Sequence, residues 1–150
     1  NFTNIEKVFF DFLSNSRWNK RLIWVKIKRI EKLKLFLDEF KSRESYFYDN
    51  MWELLLKLSS IMNQKIEAKT MVFAIKMFWY AWRIFSQKIS FFPGDIFIPI
   101  DSRITKLYEI YNTDPNLWIK DFYLILSNKL NIPLLHLDAI LWTKKVLFIR

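Results

Sequence analysis

AKTMVFAIKMFWYAWR, residues 68–83, is the most informative segment of the chain. Lys69 and Lys76 lie among apolar side chains, and the apolar spacing predicts a helix from about residue 65 to residue 89. One stripe of that helix holds the residues at i, i+4, i+7 and i+11, which are Lys69, Phe73, Lys76 and Tyr80. The segment therefore predicts a largely buried helix with amines and aromatic rings along one side.

The two lysines of this helix admit two interpretations. Burial and a second cation on the same stripe both disfavour the charged form of an amine. A neutral lysine is a nucleophile. The alternative is that Lys69 and Lys76 extend to solvent from a core helix, and residue types alone favour that alternative.

The composition favours a helical protein. The chain has 150 residues, 52% of them apolar, with one Gly and four Pro. This length suits one domain with a sizeable core, and so few helix-breaking residues are typical of long helices joined by short loops. We therefore predict a single all-α domain over residues 1–150.

The charge points to a polyanionic partner. The net charge is +9 and the sequence pI is near 9.7, which favours nucleic acid or an anionic membrane surface. The longest run without a charged residue has eight residues, Leu130–Leu137, whereas a membrane span needs about 18. We therefore expect no membrane span and an intracellular, cytoplasmic location.

The residue types that are scarce exclude several kinds of site. With no Cys and one His, the sequence offers neither a disulfide framework nor a Cys/His metal site. A single Gly argues against a glycine-rich phosphate loop. We therefore expect no metal and no cofactor.

The most basic block runs from Arg17 to Lys34, with eight basic residues and one acid, Glu31. Such a block suits contact with a phosphate backbone. It is equally typical of a solvated helix face, and the charge pattern does not decide between the two.

Cap and turn signals divide the rest of the chain. Asp101 is expected to cap a helix, where its carboxylate accepts backbone N–H bonds and faces the positive end of the helix dipole. Pro115 is expected in the first turn of a helix. The predicted helices are 4–13, 17–40, 50–61, 101–112, 113–131 and 134–149, with a polar connection at 41–48.

Three motifs together resemble a known family. They are KTMVFAIK at 69–76, IPIDSR at 98–103 and IPLLHLDAILW at 132–142. Their order, with 32 residues from Lys69 to Asp101 and 37 from Asp101 to Asp138, resembles the archaeal GO glycosylase family. That family belongs to the helix-hairpin-helix DNA glycosylases, removes 8-oxoguanine from DNA and has AP lyase activity. The resemblance implies a helix-hairpin-helix fold with an extended hairpin at about 65–112.

The resemblance also implies the catalytic residues. Lys69 matches the lysine that attacks C1′ of the nucleotide and forms a Schiff base, which allows strand cleavage by β-elimination. Asp101 matches the carboxylate that helps to activate the amine and steadies positive charge on the sugar. If this holds, Arg103 is positioned to meet a DNA phosphate.

The base-binding residues follow from the same resemblance. Phe73 matches an aromatic residue that stacks on the extruded base, and Lys76 matches a lysine of the base pocket. Asp138 and Trp142, one turn apart on the last predicted helix, match residues that hydrogen-bond the base. The alternative is structural, with Asp138 as a helix cap and Trp142 in the core.

Two other functions stay open. The basic block suits a helical nucleic-acid-binding module without chemistry. The family also has a further N-terminal helical region that completes the base pocket, and we expect this chain to begin after it. A split glycosylase would then need a second chain as partner, in addition to single- or double-stranded DNA containing 8-oxoguanine.

Overall fold

The computed structural model of the protein describes residues 2–19 and 21–143, with side chains from Lys7 onward. These residues form eight α-helices and no strand, so the all-α prediction is confirmed. The helices are α1 (Phe2–Asn15), α2 (Ile23–Ser42), α3 (Glu44–Asp49), α4 (Met51–Met62), α5 (Lys69–Ser86), α6 (Ser102–Tyr111), α7 (Ile119–Leu130) and α8 (Leu134–Thr143).

Local cap chemistry sets several helix ends. Asp101 precedes α6 and its side chain accepts hydrogen bonds from the backbone N–H groups of Arg103 and Ile104, as predicted. Asn63 and Asn131 follow α4 and α7 in the left-handed conformation, with φ of 51° and 52°. Asparagine tolerates this conformation better than most residues, and here it takes the position that glycine commonly fills.

Some predicted boundaries are wrong. The connection at 41–48 is mostly helical, because α3 buries Phe47 and Tyr48 completely in the core. The helix predicted at 17–40 begins only at Ile23. The helix predicted at 113–131 begins at Ile119, because Asn112, Asp114 and Asn116 bond to one another in a turn.

The helix predicted at 65–89 is also shorter, since α5 spans Lys69–Ser86. Residues 65–68 form a turn in which the Ala68 N–H donates to the Lys65 carbonyl at 2.9 Å. Lys69 is therefore the first residue of α5 rather than an interior one. Residues 144–149 of the last predicted helix lie outside the described residues.

Two apolar clusters hold the helices together. The larger one joins α2, α3, α4 and α5, and it includes Phe92 from the following loop and Leu135 from α8. The smaller one joins Ile98 of that loop to α6, α7 and α8. The loop at 87–101 contributes to both clusters and so links them.

Polar contacts fix this loop between α5 and α8. The Trp79 Nε1–H donates to the Ser90 carbonyl at 3.1 Å. The Phe92 N–H donates to His136 Nε2 at 3.0 Å, and the Phe92 ring lies 4.2 Å from that of Trp79. The loop is therefore tied to α5 through Trp79 and to α8 through His136.

A helix that spans a membrane needs a minimum length and a minimum apolarity. Within residues 2–19 and 21–143 no single helix reaches them. Only α7 and α8 taken together do so by length and composition, and a bend of 92° separates the two.

Candidate active site

Lys69 is the first residue of α5. Its side chain is exposed, and it lines a cavity of about 610 Å³ together with Ile100 and Trp118. The residues that complete the lining are Glu67, Ile119, Lys120 and Asp121. The cavity therefore lies between the start of α5, the residue before Asp101 and the start of α7. The sequence argument that burial activates Lys69 is wrong, because the buried lysine of the stripe is Lys76, which is only 3% exposed.

Asp101 is held by the backbone of α6. Its Oδ1 accepts from the Arg103 N–H at 3.0 Å and from the Ile104 N–H at 2.9 Å. Its Oδ2 lies 3.7 Å from Arg103 Nη2. Among the ion pairs of the described residues none joins Asp101 to Lys69, and the cavity at Lys69 is lined by Ile100 but not by Asp101 itself.

Asp138 is the centre of a buried charge cluster. It has no exposed surface, and its Oδ2 accepts from Lys76 Nζ. Its Oδ1 accepts from Arg103 Nη2 at 3.4 Å. Burial raises the pKa of the Asp138 carboxyl, against the opposing effect of the Lys76 and Arg103 charges. The structure therefore unites two residues that the sequence assigned to the base pocket, although they lie 62 positions apart.

Arg103 faces inward rather than toward solvent. Its side chain is 16% exposed, and its guanidinium carbon lies 3.7 Å from the ring centroid of Trp142. Two carboxylates and one aromatic face thus surround a guanidinium that the sequence analysis expected on a DNA phosphate.

The two aromatic residues assigned to the base are open to solvent. Phe73 is 39% exposed, one turn beyond Lys69 on α5, and Trp142 is 54% exposed on α8. Neither is a core residue. The alternative that Trp142 belongs to the core is therefore wrong.

Two residues of this region were missed from the sequence. Tyr123 on α7 is buried, its hydroxyl donates to the Ile104 carbonyl at 2.7 Å, and burial raises its pKa to about 12. His136 anchors the hairpin through Phe92, and burial and the Arg83 charge lower its pKa. The only sequence signal for His136 was that it is the one histidine of the chain.

This fold is that of a helical DNA glycosylase. It matches the crystal structure of Pa-AGOG, an 8-oxoguanine DNA glycosylase from Pyrobaculum aerophilum in complex with 8-oxoguanosine. The match has a TM-score of 0.72 and 25% identity, and it covers 91% of this chain and 55% of that one. The family model described as AGOG: N-glycosylase/DNA lyase matches residues 1–147. The chain belongs to this family, as the sequence motifs indicated.

Curated proteins similar to this chain are also named N-glycosylase/DNA lyase. The N-glycosylase/DNA lyase of Methanococcus maripaludis is 44% identical over 140 residues, which are 93% of this chain and 54% of that protein. The one from Nanoarchaeum equitans is 41% identical over 133 residues, 89% of this chain and 56% of that protein. The chain thus spans about half the length of the curated relatives it matches.

Proposed function

We propose that this chain is a DNA N-glycosylase with AP lyase activity that removes 8-oxoguanine. The observation that carries the proposal is an exposed Lys69 that lines a cavity together with Ile100, the residue before the helix-capping Asp101. Family membership and the names of the relatives support it.

The chemistry divides between these two groups. The Lys69 amine attacks C1′, the bond from C1′ to the base breaks, and the base leaves with the bonding electrons. The Asp101 carboxylate takes a proton from the attacking amine and stabilises the positive charge on the sugar. The covalent Schiff base then acidifies the neighbouring sugar C–H, so that β-elimination cleaves the strand.

We assign base recognition to the exposed rings of Phe73 and Trp142 and to the buried carboxylate of Asp138. An enzyme that acts on a base must extrude it and stack it between side chains. Phe73 and Trp142 supply exposed ring faces for this. Oxidised guanine carries N1–H, N2–H and N7–H donors, which suit the Asp138 carboxylate. Because Asp138 and Lys76 are buried in this structure, binding of the base to them requires a rearrangement of the side chains that cover them.

The proposed partners follow from this function. The substrate is DNA containing 8-oxoguanine, in double- or single-stranded form, and the basic block from Arg17 to Lys34 supplies charge for its backbone. An enzyme of this kind acts on the genome in the cytoplasm. A second chain that completes the base pocket stays a prediction.

Borohydride trapping on a duplex with one 8-oxoguanine tests the proposal. We expect a covalent adduct with the chain and none with Lys69→Ala. The matched control is Lys65→Ala, which removes another exposed lysine four positions earlier and should trap normally. An adduct that persists in Lys69→Ala would contradict the assigned nucleophile.

The same duplex tests the alternative of a binding module without chemistry. A module would bind DNA with a strong salt dependence and form no adduct, even on an abasic site where no base needs to be recognised. If adducts form on the abasic duplex but not on the 8-oxoguanine duplex, the lyase assignment stands and the chain fails to recognise the base.

A further inference from the structure

We infer that Arg103 is a positioning residue that joins the catalytic carboxylate Asp101 to the base-reading side chains Asp138 and Trp142. The inference rests on the proposed function and adds a residue to it. It assigns Arg103 to base recognition inside the site instead of to a DNA phosphate. Arg103 acts through these neighbours and takes no part in bond making.

The contacts of the guanidinium carry this inference. Nη2 lies 3.4 Å from Asp138 Oδ1 and 3.7 Å from Asp101 Oδ2, so one nitrogen bridges α6 to α8. The guanidinium plane also covers the Trp142 ring at 3.7 Å from its centroid. A flat group that holds a carboxylate and an aromatic face together fixes how both are presented to a planar base.

One nitrogen of Arg103 argues for a role beyond stability. Its Nε is buried and has no hydrogen-bond partner among the described residues. A buried donor without a partner destabilises the folded state, which offsets part of the stabilisation from the ion pairs that Arg103 makes with Asp138 and Asp101. A methionine would fill similar space without that penalty.

Charge explains why a cation is needed at this position. Asp138 contacts Lys76 of α5 and Arg103 of α6, and its charge also interacts with Asp101 before α6 and with the buried Tyr123 of α7. Burial raises the Asp138 pKa, and the Lys76 and Arg103 charges oppose that rise. Removal of Arg103 leaves one cation, so the carboxyl takes up a proton at a higher pH. A protonated Asp138 accepts hydrogen bonds from guanine N–H donors less well.

The test compares Arg103→Met and Arg103→Lys with the unchanged chain. Base excision from an 8-oxoguanine duplex is measured against pH, alongside lyase action on an abasic duplex and the binding of 8-oxoguanosine by calorimetry. For Arg103→Met we expect excision to fall roughly tenfold to hundredfold at neutral pH, the scale of one charge-assisted hydrogen bond. The acidic limb of its pH profile should move to higher pH, and abasic-site cleavage should fall less than base excision does, because two backbone N–H groups still hold Asp101.

Two controls separate positioning from structural damage. Arg103→Lys retains the charge and should recover the pH profile but not the full affinity for 8-oxoguanosine, because lysine cannot cover the Trp142 ring in the same way. Arg83→Met removes an arginine that lies 4.7 Å from the Trp79 ring centroid, outside the charge cluster, and should leave the excision pH profile in place.

The outcomes are distinct from those of the proposed function. An unshifted pH profile in Arg103→Met, or stronger binding of 8-oxoguanosine, would overturn the positioning role while trapping through Lys69 stands. If the unchanged chain forms no adduct yet binds 8-oxoguanosine with the expected dependence on Arg103, the enzymatic function fails and the positioning role holds. Absence of both adduct and binding overturns both.

Discussion

Lys76→Met is expected to be among the most damaging single substitutions in the chain. It leaves the fully buried Asp138 carboxylate without its closest cation. Breaking a buried ion pair from one side costs about 3–5 kcal/mol, and we expect about 3 because Arg103 remains 3.4 Å away. Since a domain is stable by only about 5–15 kcal/mol, urea unfolding followed by circular dichroism will resolve the loss.

Two further variants identify the cause of that loss. Lys76→Met with Asp138→Asn removes the uncompensated charge and should recover most of the stability. Lys57→Met breaks a surface pair with Glu39 and should cost far less, because water screens that pair. The Lys76→Met loss should also shrink as the pH falls and Asp138 becomes neutral. A double variant no more stable than Lys76→Met would refute the charge argument.

Two more predictions concern single side chains. Asp101→Asn should keep the helix cap, so its free energy of unfolding should lie within a few tenths of a kcal/mol of that of the unchanged chain. Asp101→Ala should lower the free energy of unfolding by about 1 kcal/mol. Both should lose borohydride trapping on an abasic site, and trapping by Asp101→Asn would show that the charge is dispensable. For His136 the folded-state pKa lies below the unfolded value, so the unfolded chain binds more protons between the two. Its contribution to stability is therefore present above about pH 6.5 and lost as the pH falls through the folded pKa. Urea unfolding at several pH values should show this loss, and His136→Asn should lack that part of the pH dependence.

A helix cap and several helix ends were predictable from the sequence. The Asp101 cap, the end of α6 near residue 111 and the start of α8 at Leu134 depend on neighbouring residues, and the structure has them within one position of the prediction. The all-α class followed from the scarcity of Gly and Pro. The motif spacing led to the family, which no single residue would have indicated.

Tertiary contacts were not predictable. The apolar pattern continued through residues 65–68 without a breaker, so it gave no sign that α5 begins at Lys69. Periodicity placed Lys69 and Lys76 on one stripe, yet only packing against α8 decided that Lys76 is buried and Lys69 exposed. The inward turn of Arg103 depends on carboxylates that come together only in the fold.

The charges of the site are distributed in a way that fits its proposed chemistry. Asp138 forms ion pairs with Lys76 and Arg103. Asp101 forms an ion pair with Arg103 and accepts hydrogen bonds from two backbone N–H groups of α6. Within the described part of the chain, Lys69 has no carboxylate at ion-pair distance. In the proposed mechanism two backbone N–H groups and Arg103 hold Asp101 at the start of α6, where its carboxylate receives the proton of the attacking amine. Asp138 and Lys76, which are assigned to the base, are thus tied together by a buried ion pair, whereas Lys69, the proposed nucleophile, has no ion pair among the described residues.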